Sequence, residues 1–252
     1  MSRKIVGIAG LGLVGGSLAR ALTRAGYCVV GIDRPAVGRR AFRARAVAAT
    51  ATIDEAARGA DLVVLAAPPR ANRLLLRRLA ANAPATLVVT DVTSVKAPIC
   101  REAARLGLPA FVGGHPMAGT ESSGFAASSA DLFHRRPWIL VTGKAPPRAV
   151  SMVRSLVRAA GGRPVVMDAI EHDRAMAFLS HLPQVVSWAL LDAARRDGVA
   201  SRHLEVAGPA FRDMTRLARS PRPLWRQILT ENRAEVTRAL RAIRAGLGRV
   251  HR

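Results

Sequence analysis

Residues 5–22 read IVGIAGLGLVGGSLARAL, and this stretch carries the clearest structural signal of the chain. Its apolar, β-branched start, Ile5–Ala9, predicts a buried strand, and its end repeats apolar residues at the spacing of an amphipathic helix. Between them stand Gly10, Gly12 and Gly15. Glycines in this position let the chain turn tightly, let a pyrophosphate approach the backbone and let the helix pack closely on the strand. The stretch therefore predicts the first strand and helix of a dinucleotide-binding fold.

The same turn predicts which residues hold the dinucleotide. Leu13 and Val14 open the helix, whose N-terminus faces the phosphates together with the three glycines. The second predicted strand ends in Asp33, 18 residues after Gly15. A carboxylate there accepts hydrogen bonds from both ribose hydroxyls and repels a 2′-phosphate, so NAD is the expected cofactor. Arg34 follows directly and could tolerate that phosphate, which keeps NADP as the alternative.

Short apolar runs continue to alternate with helical segments as far as about residue 166. The predicted strands after the first are residues 27–33, 61–67, 86–92, 110–113, 138–142 and 163–167. This alternation is typical of βαβ units and of a mostly parallel sheet covered by helices on both faces. The expected fold class is α/β, with a doubly wound Rossmann-type sheet. Ala67 and Pro68, at the end of one of these strands, are also assigned to the cofactor site.

The strand pattern stops after Asp168, and the remaining residues predict only helices. Helical spacing covers about 172–196, 203–206 and 223–247. Pro183 falls inside the first of these segments, where it predicts a kink. We therefore expect a dinucleotide-binding domain at 1–167 and a smaller all-α domain at 168–252. Apolar faces on the predicted helices of the smaller domain indicate that it needs a partner.

The charge of the chain is high enough for a nucleic-acid-binding protein. The sequence has 39 basic and 17 acidic residues, which gives a formal net charge of +22. The basic residues are almost all arginine and are scattered through every segment. A single Tyr and six Phe provide little aromatic surface for stacking on bases. Nucleic acid is therefore not an expected partner.

The sequence lacks the patterns that indicate a membrane helix, a signal peptide or a metal site. No apolar run approaches the roughly 20 residues of a membrane helix, and the N-terminus does not read as a signal peptide. A cytoplasmic protein without a membrane partner is expected. Cys28 and Cys100 show no metal-ligand spacing, and none of the six His has a ligand partner at the right distance along the chain. No metal is expected.

Two further loops are predicted at the carboxyl edge of the sheet, where ligands bind in such folds. They are DVTSVK, residues 91–96, and GGHPMAGTESSG, residues 113–124. The second holds His115 on a segment that reads as too rich in Gly, Pro and Ser for a buried core element. A dehydrogenase needs a group that takes the hydroxyl proton as hydride leaves, and imidazole titrates in the right range. His115 is therefore the predicted general base.

Five blocks, in order along almost the whole chain, resemble the prephenate and arogenate dehydrogenase (TyrA) family. They are GLGLVGGSLA, DVTSVK, GGHPMAGTESSG, SHLPQ and FRDMTR…LW…ENR. The resemblance implies NAD-dependent oxidative decarboxylation of a cyclohexadienyl acid in tyrosine biosynthesis, either arogenate to tyrosine, prephenate to 4-hydroxyphenylpyruvate, or both. It also implies a homodimer formed through the helical domain, with active sites in the cleft between domains.

The resemblance further implies roles for single residues. His115 hydrogen-bonds the ring hydroxyl of the substrate, and Ser94 lies between that hydroxyl and the nicotinamide. Arg216 anchors an anionic group, which suits a substrate with two carboxylates because arginine can hold a carboxylate through two parallel hydrogen bonds. The other residues that border the substrate site on this basis are Arg212, Glu121 and Trp225.

The chain departs from the family pattern in two places. Many relatives have SHLPH where this chain has SHLPQ, so Gln184 replaces a histidine near the substrate side chain. Because Gln cannot become cationic, it grips a pyruvyl carboxylate less well and favours arogenate, whose ammonium Glu121 could meet. The usual GGGF before the basic block is Gly208-Pro209-Ala210-Phe211 here, so the local backbone must differ.

Two more histidines accompany these blocks. His181 precedes Pro183 and faces either the substrate or the core of its domain. His172 and Asp173 stand at a predicted helix start, where they are most simply a capping and packing pair.

Two other functions remain open. One is a related dehydrogenase that acts on 4-amino-4-deoxyprephenate or on another β-hydroxy acid. The other is a basic module that binds NAD or nucleic acid and has kept the fold without the chemistry. The joint presence of Ser94, His115 and Arg216 argues against the second.

Overall fold

The alternating apolar runs build one eight-stranded sheet. In the computed structural model, which describes residues 4–120 and 122–250, the strands are β1 Ile5–Ala9, β2 Cys28–Ile32, β3 Ala49–Thr50, β4 Leu62–Leu65, β5 Val88–Asp91, β6 Phe111–Pro116, β7 Pro137–Val141 and β8 Arg163–Val166. All seven strands expected from the sequence are confirmed. The eighth, β3, has only two residues, both exposed, and so lacks the apolar run that would have predicted it.

The strand order places a ligand crevice at the glycine-rich turn. The order is β3-β2-β1-β4-β5-β6-β7-β8, and every neighbouring pair is parallel except β6 and β7. The strands β2 and β3 lie on one side of β1, and the strands β4 to β8 lie on its other side. In a doubly wound sheet the crevice lies at this point of reversal, outside the carboxyl ends of β1 and β4. The residues that follow those two strands are therefore the ones placed to meet a ligand.

Helices cover both faces of the sheet. They are α1 Leu13–Arg24, α2 Pro35–Arg43, α3 Ile53–Gly59, α4 Pro69–Asn82, α5 Ala97–Arg105 and α6 Pro147–Ala159. Alternate residues of a strand enter opposite cores: Leu62 and Val64 pack with α1 and α6, whereas Val63 and Leu65 pack with α3, α4 and α5. Burial of both faces explains why these strands read as continuous apolar runs.

The chain divides into two units, Met1–His172 and Asp173–Arg252. The helices from the boundary onward are α7 Ala169–Met176, α8 Leu182–Arg196, α9 Pro209–Thr215, α10 Arg222–Glu231 and α11 Arg233–Val250, with 3₁₀ turns at Ala200–Val206 and Arg216–Arg219. The prediction of a single helix at 223–247 is wrong, because the helix is interrupted at Asn232, between α10 and α11. The helix α9 was not expected. Pro209 opens it, and a first helical turn is where proline is tolerated.

The kink expected at Pro183 takes the form of a π-helical turn, Ala177–His181, between α7 and α8. Proline cannot donate to the carbonyl of Leu179, four residues earlier, and its ring crowds that carbonyl. The turn before it widens as a result. Such π turns occur frequently at functional sites, and this one ends at His181.

The second unit has a small core. Ala177, Leu182, Val236 and Ala239 are buried, and four partly buried apolar side chains pack against them. Large apolar side chains stay exposed within the unit, including Leu179 at 72% and Leu247 at 63%. No helix in residues 4–120 and 122–250 is long and apolar enough to cross a membrane.

Candidate active site

The glycine-rich turn has the shape that a dinucleotide requires. Gly10 has φ +98°, and a Cβ there would lie 2.6 Å from the backbone of Ala66 and Ala67. A Cβ at Gly15 would lie 1.8 Å from the carbonyl oxygen of Gly10. At Gly12, by contrast, a Cβ would meet no described atom within 4 Å. Gly10 and Gly15 thus form the turn, and Gly12 leaves the open space at the N-terminus of α1 that a pyrophosphate fits.

Asp33 is held at the end of β2 by backbone hydrogen bonds. The N–H of Leu11 donates to Oδ2 at 2.7 Å, and the N–H of Arg34 donates to Oδ1 at 2.6 Å. Each carboxylate oxygen keeps a second lone pair, so the group can also accept hydrogen bonds from ribose hydroxyls. The side chain of Arg34 is 88% exposed, and its Nε lies 3.9 Å from Asp33. Carboxylate and turn together fit an NAD-type dinucleotide.

Asn72 was missed by sequence analysis. It is fully buried on α4, accepts a hydrogen bond from the N–H of Ala67 at 3.0 Å and donates to the carbonyl of Leu65 at 3.2 Å. These bonds fix the turn after β4, which carries Ala67 and Pro68 and lies opposite the glycine-rich turn. A polar amide in the first turns of a helix rich in Ala, Leu and Arg was the available signal.

Ser94 lies half-buried in the loop between β5 and α5. Residues on both sides of it are anchored to the carboxylate of Asp91. Thr93 donates to that carboxylate from its backbone N–H at 2.9 Å and also from its hydroxyl, and the ammonium of Lys96 contacts the same oxygen. The loop is therefore fixed at the carboxyl end of β5, as the sequence predicted.

His115 does not lie in a loop. It is the fifth residue of β6, is 7% exposed and pairs with Ile139 of β7. The glycines that made this segment look like a loop are needed for close packing instead. A Cβ at Gly114 would lie 2.4 Å from the carbonyl oxygen of Asp91, and one at Gly113 would lie 3.0 Å from Cys100 Sγ.

His172 contacts His115 directly. The Nδ1 atom of His115 lies 2.9 Å from Nε2 of His172, with the rings edge to face and their centroids 5.1 Å apart. His172 is fully buried, and the helix cap is Asp168 rather than the pair assigned from the sequence. Hydrogen bonds from the backbone N–H groups of Ile170 and Glu171 hold the pKa of the Asp168 carboxyl below its ordinary value.

The two imidazoles restrict each other's protonation. A hydrogen bond between Nδ1 of His115 and Nε2 of His172 requires a proton on one of these two atoms and a lone pair on the other. If His115 accepts a proton at Nε2, its Nδ1 must carry a hydrogen and donate it. Nε2 of His172 is then the acceptor. The arrangement can support His115 as a base that uses Nε2.

In the second unit, the rings of His181 and Trp225 lie in contact. His181 is fully buried, and the edge-to-face contact with Trp225 has a centroid distance of 6.1 Å. The side-chain N–H₂ of Asn232 donates to the carbonyl of Asp173 at 2.7 Å and to Nδ1 of His181 at 3.1 Å. Nδ1 of His181 is therefore the acceptor, and Nε2 carries the hydrogen.

Gln184 fixes the backbone next to Arg216. Its Nε2 donates to the carbonyl of Leu217 at 2.7 Å, and Trp188 Nε1 donates to the carbonyl of Ala218 at 3.3 Å. Gln184 is fully buried, and its Oε1 accepts no hydrogen bond from the part of the chain that the structure describes. Arg216 lies in this anchored turn and is exposed.

Two predicted residues remain. Arg212 lies in the last turn of α9 with an exposed side chain. Glu121 lies outside the described residues. Within residues 4–120 and 122–250, no group of three or more His, Cys, Asp or Glu side chains is arranged to hold a metal ion.

Two family models match the chain in succession. "Prephenate dehydrogenase, nucleotide-binding domain" covers residues 18–166, and "Prephenate dehydrogenase, dimerization domain" covers residues 168–252. Among relatives, the cyclohexadienyl dehydrogenase of Zymomonas mobilis is 35% identical over 240 residues, which are 91% of this chain and 81% of that protein. Three further relatives are 30 to 34% identical and longer, and the chain spans 63 to 64% of their length.

Solved structures agree with the family models. The prephenate dehydrogenase of A. aeolicus, in complex with hydroxyphenyl propionate and NAD⁺, is similar with a TM-score of 0.91 and 30% identity, over 99% of this chain and 90% of that one. The arogenate dehydrogenase of Synechocystis is similar with a TM-score of 0.84 and 29% identity, over 97% and 90% of the two chains. With both family models covering nearly its whole length, the chain belongs to the prephenate dehydrogenase family.

Proposed function

We propose that this chain is an NAD-dependent dehydrogenase of tyrosine biosynthesis that oxidises and decarboxylates a cyclohexadienyl acid. The reaction converts arogenate to tyrosine, prephenate to 4-hydroxyphenylpyruvate, or both. One observation carries the proposal: the buried pair of His115 and His172 lies at the carboxyl end of β6, on the sheet edge that also bears the dinucleotide turn. Family membership supports the same reaction.

The cofactor is held by Gly10, Gly12 and Gly15 through the pyrophosphate and by Asp33 through the ribose. Bound NAD supplies the hydride acceptor of the reaction. NADP is the poorer cofactor, because the carboxylate of Asp33 is fixed by two backbone bonds and would repel a 2′-phosphate. The side chain of Arg34 is 88% exposed, so solvent screens its ion pair with that carboxylate.

His115 is the general base. Its Nε2 takes the proton of the ring hydroxyl as the alcohol carbon is oxidised, and its Nδ1–H then donates to His172, which stabilises the cation. Ser94 orients the hydroxyl from the neighbouring loop. The resulting ring ketone is conjugated to both ring double bonds, which link it to the quaternary carbon that bears the carboxylate, and so it is a vinylogous β-keto acid. The bond to the carboxylate breaks, its electron pair moves through the ring to the ketone oxygen, and that oxygen takes the proton back from His115 Nε2. Carbon dioxide leaves, and aromatisation of the ring drives the reaction forward.

Residues of the second unit bind the substrate. Arg216 holds a carboxylate from a turn that Gln184 anchors. Further positions that we assign to the substrate are Arg212, Glu121, His181 and Trp225.

Gln184 favours arogenate over prephenate. Its amide nitrogen is committed to Leu217, which leaves the buried carbonyl oxygen as an acceptor. An uncharged amide at this position gives a pyruvyl carboxylate no cationic partner, whereas the side chain of arogenate carries an ammonium of its own.

The second unit also pairs two copies of the chain. Its small core and its exposed apolar side chains, such as Leu179 and Leu247, leave an apolar surface that a second copy would cover. The family model that matches residues 168–252 describes a dimerization domain. We assign residues 1–167 to cofactor binding and 168–252 to substrate binding and dimerisation.

Purified protein with NAD tests the function when it is given arogenate, prephenate, 4-amino-4-deoxyprephenate and a simple β-hydroxy acid in turn. NADH should form fastest with arogenate or prephenate. A His115→Asn variant should be slower by about 10² to 10⁴ and should still bind NAD.

Three outcomes would contradict the proposal. Unchanged activity in the His115→Asn variant would remove this residue from the mechanism. A preference for the 4-amino analogue or for the simple β-hydroxy acid would identify the related dehydrogenase instead. Absence of NADH with every acid, together with salt-sensitive binding to RNA or DNA, would identify a basic binding module.

A further inference from the structure

A buried ion pair contacts Gly114, the residue that precedes the proposed base His115. Asp91 at the end of β5 and Lys96 just before α5 are both fully buried, and their charged groups are in contact. The mechanism above uses neither residue. A buried ion pair is weak evidence for stability, because removing two charges from water costs much of what their attraction returns. Its hydrogen bonds therefore indicate its role better than its charge does.

The pair holds both backbone polar groups of one residue, Gly114. The N–H of Gly114 donates to Asp91 Oδ1 at 3.0 Å, and Lys96 Nζ donates to the carbonyl oxygen of Gly114 at 2.6 Å. Lys96 Nζ also donates to Thr93 Oγ1 at 3.0 Å. Gly114 immediately precedes His115, so these bonds fix the peptide planes on both sides of Gly114, and the second of these planes includes the backbone N–H of His115. Thr93 likewise precedes Ser94.

These bonds occur where β5 stops pairing with β6. The ladder between β5 and β6 includes only Val89–Phe111 and Thr90–Val112, whereas β7 pairs with β6 as far as Pro116. Beyond Val112, β6 is held by β7 on one edge and by the Asp91–Lys96 pair on the other. Without the pair, Gly114 would lose the hydrogen bonds that hold its N–H and its carbonyl oxygen on the β5 side.

We propose that Asp91 and Lys96 are positioning residues that hold His115 in contact with His172 and in register with the Ser94 loop. This inference rests on the proposed function, since it assigns them a role through the proposed base. A misplacement of about 1 Å at a reacting group can cost about 100-fold in rate. The pair acts on the rate of the chemical step and leaves cofactor binding to the glycine-rich turn.

The test is a double variant, Asp91→Leu with Lys96→Met. Removing Lys96 alone would leave an uncompensated buried carboxylate and could prevent folding, whereas replacing both charges with apolar side chains of similar volume is often tolerated. The matched control is Thr90→Val. It removes the buried hydrogen bond of 2.6 Å that the Thr90 hydroxyl donates to the carbonyl oxygen of Val112. Val112 lies on β6, two residues before Gly114.

For the double variant we expect kcat to fall by about 30- to 100-fold. The KM for the acid and the Kd for NAD should stay within about threefold of wild type, and Thr90→Val should keep its kcat within the same margin. A merely structural role would lower Tm or the folded fraction without changing kcat per folded molecule. A folded double variant with wild-type kcat would overturn the inference. So would a loss of NAD binding that accounts for the whole loss of rate.

A second readout does not depend on turnover. The imidazole ¹⁵N shifts of His115 report which nitrogen carries the proton, and contact with His172 favours one tautomer. In the double variant these shifts should move toward the average of two tautomers, while Thr90→Val should leave them unchanged. If the wild-type protein oxidises none of the acids, the proposed function fails. Unchanged His115 shifts in the double variant would then overturn the positioning role as well.

Discussion

Replacement of His172 by Phe should slow the reaction about 5- to 30-fold while the protein stays folded. Phe keeps a ring in the fully buried position but removes the nitrogen that lies 2.9 Å from His115 Nδ1. A hydrogen bond between neutral groups contributes about 0.5–1.5 kcal/mol, and one to a charged group contributes about 1.5–3 kcal/mol. In the wild-type enzyme this hydrogen bond strengthens by the difference, about 1–2 kcal/mol, when His115 becomes cationic in the transition state. The His172→Phe variant lacks this stabilisation, and each 1.4 kcal/mol is about tenfold in rate.

The assay compares kcat of wild type, His172→Phe and His172→Gln with saturating NAD and acid. Gln can place an amide oxygen near the position of Nε2, so it should accept the hydrogen bond and restore most of the rate. Combined with His115→Asn, the Phe substitution should have little further effect, because the two residues act as one unit. A His172→Phe enzyme within twofold of wild type would refute the reasoning. So would rate losses that simply multiply in the double variant.

Three further predictions concern the dinucleotide turn and acid stability. Asp33→Ser should raise kcat/KM with NADP relative to NAD, because the fixed carboxylate no longer repels a 2′-phosphate; an unchanged ratio would show that another group sets the preference. Gly10→Ala should lower both Tm and NAD affinity, since its Cβ would lie 2.6 Å from backbone atoms, whereas Gly12→Ala should keep its Tm and lose only NAD affinity; equal Tm losses would contradict this. Hydrogen bonds from Arg105 and a second arginine lower the pKa of Glu102 from 4.5 to about 2. Because the folded pKa is the lower one, the stabilisation is present above about pH 4.5 and is lost as the pH falls toward 2. The Tm gap between wild type and Glu102→Gln should therefore close over that range, and a constant gap would contradict the assignment.

The sheet and the dinucleotide turn could be predicted because their signals are local. Buried parallel strands read as continuous apolar runs, and Gly10, Gly12 and Gly15 have a spacing that follows from the turn itself. The same local reasoning failed at His115, which was expected in a loop because of its glycines. Gly113 and Gly114 are there because a Cβ would collide with Cys100 or with the backbone of Asp91. Such crowding becomes visible only once the strands are assembled.

The contacts that complete the candidate site join distant parts of the chain. His115 meets His172 across 57 positions, and His181 meets Asn232 across 51. One sequence carries no information on which side chains pair over such distances. Sequence analysis could therefore name His115 and His181 as candidates, but it assigned His172 to a cap and did not single out Asn232 at all.

Oxidation and decarboxylation together distinguish the proposed reaction from that of a simple alcohol dehydrogenase. Purified protein should be incubated with excess NAD and with arogenate or prephenate that is isotopically labelled at the ring carboxylate. NADH and labelled carbon dioxide should appear at the same rate and in equal amounts, with an aromatic product. NADH without carbon dioxide, or neither with any dienyl acid, would contradict the central claim.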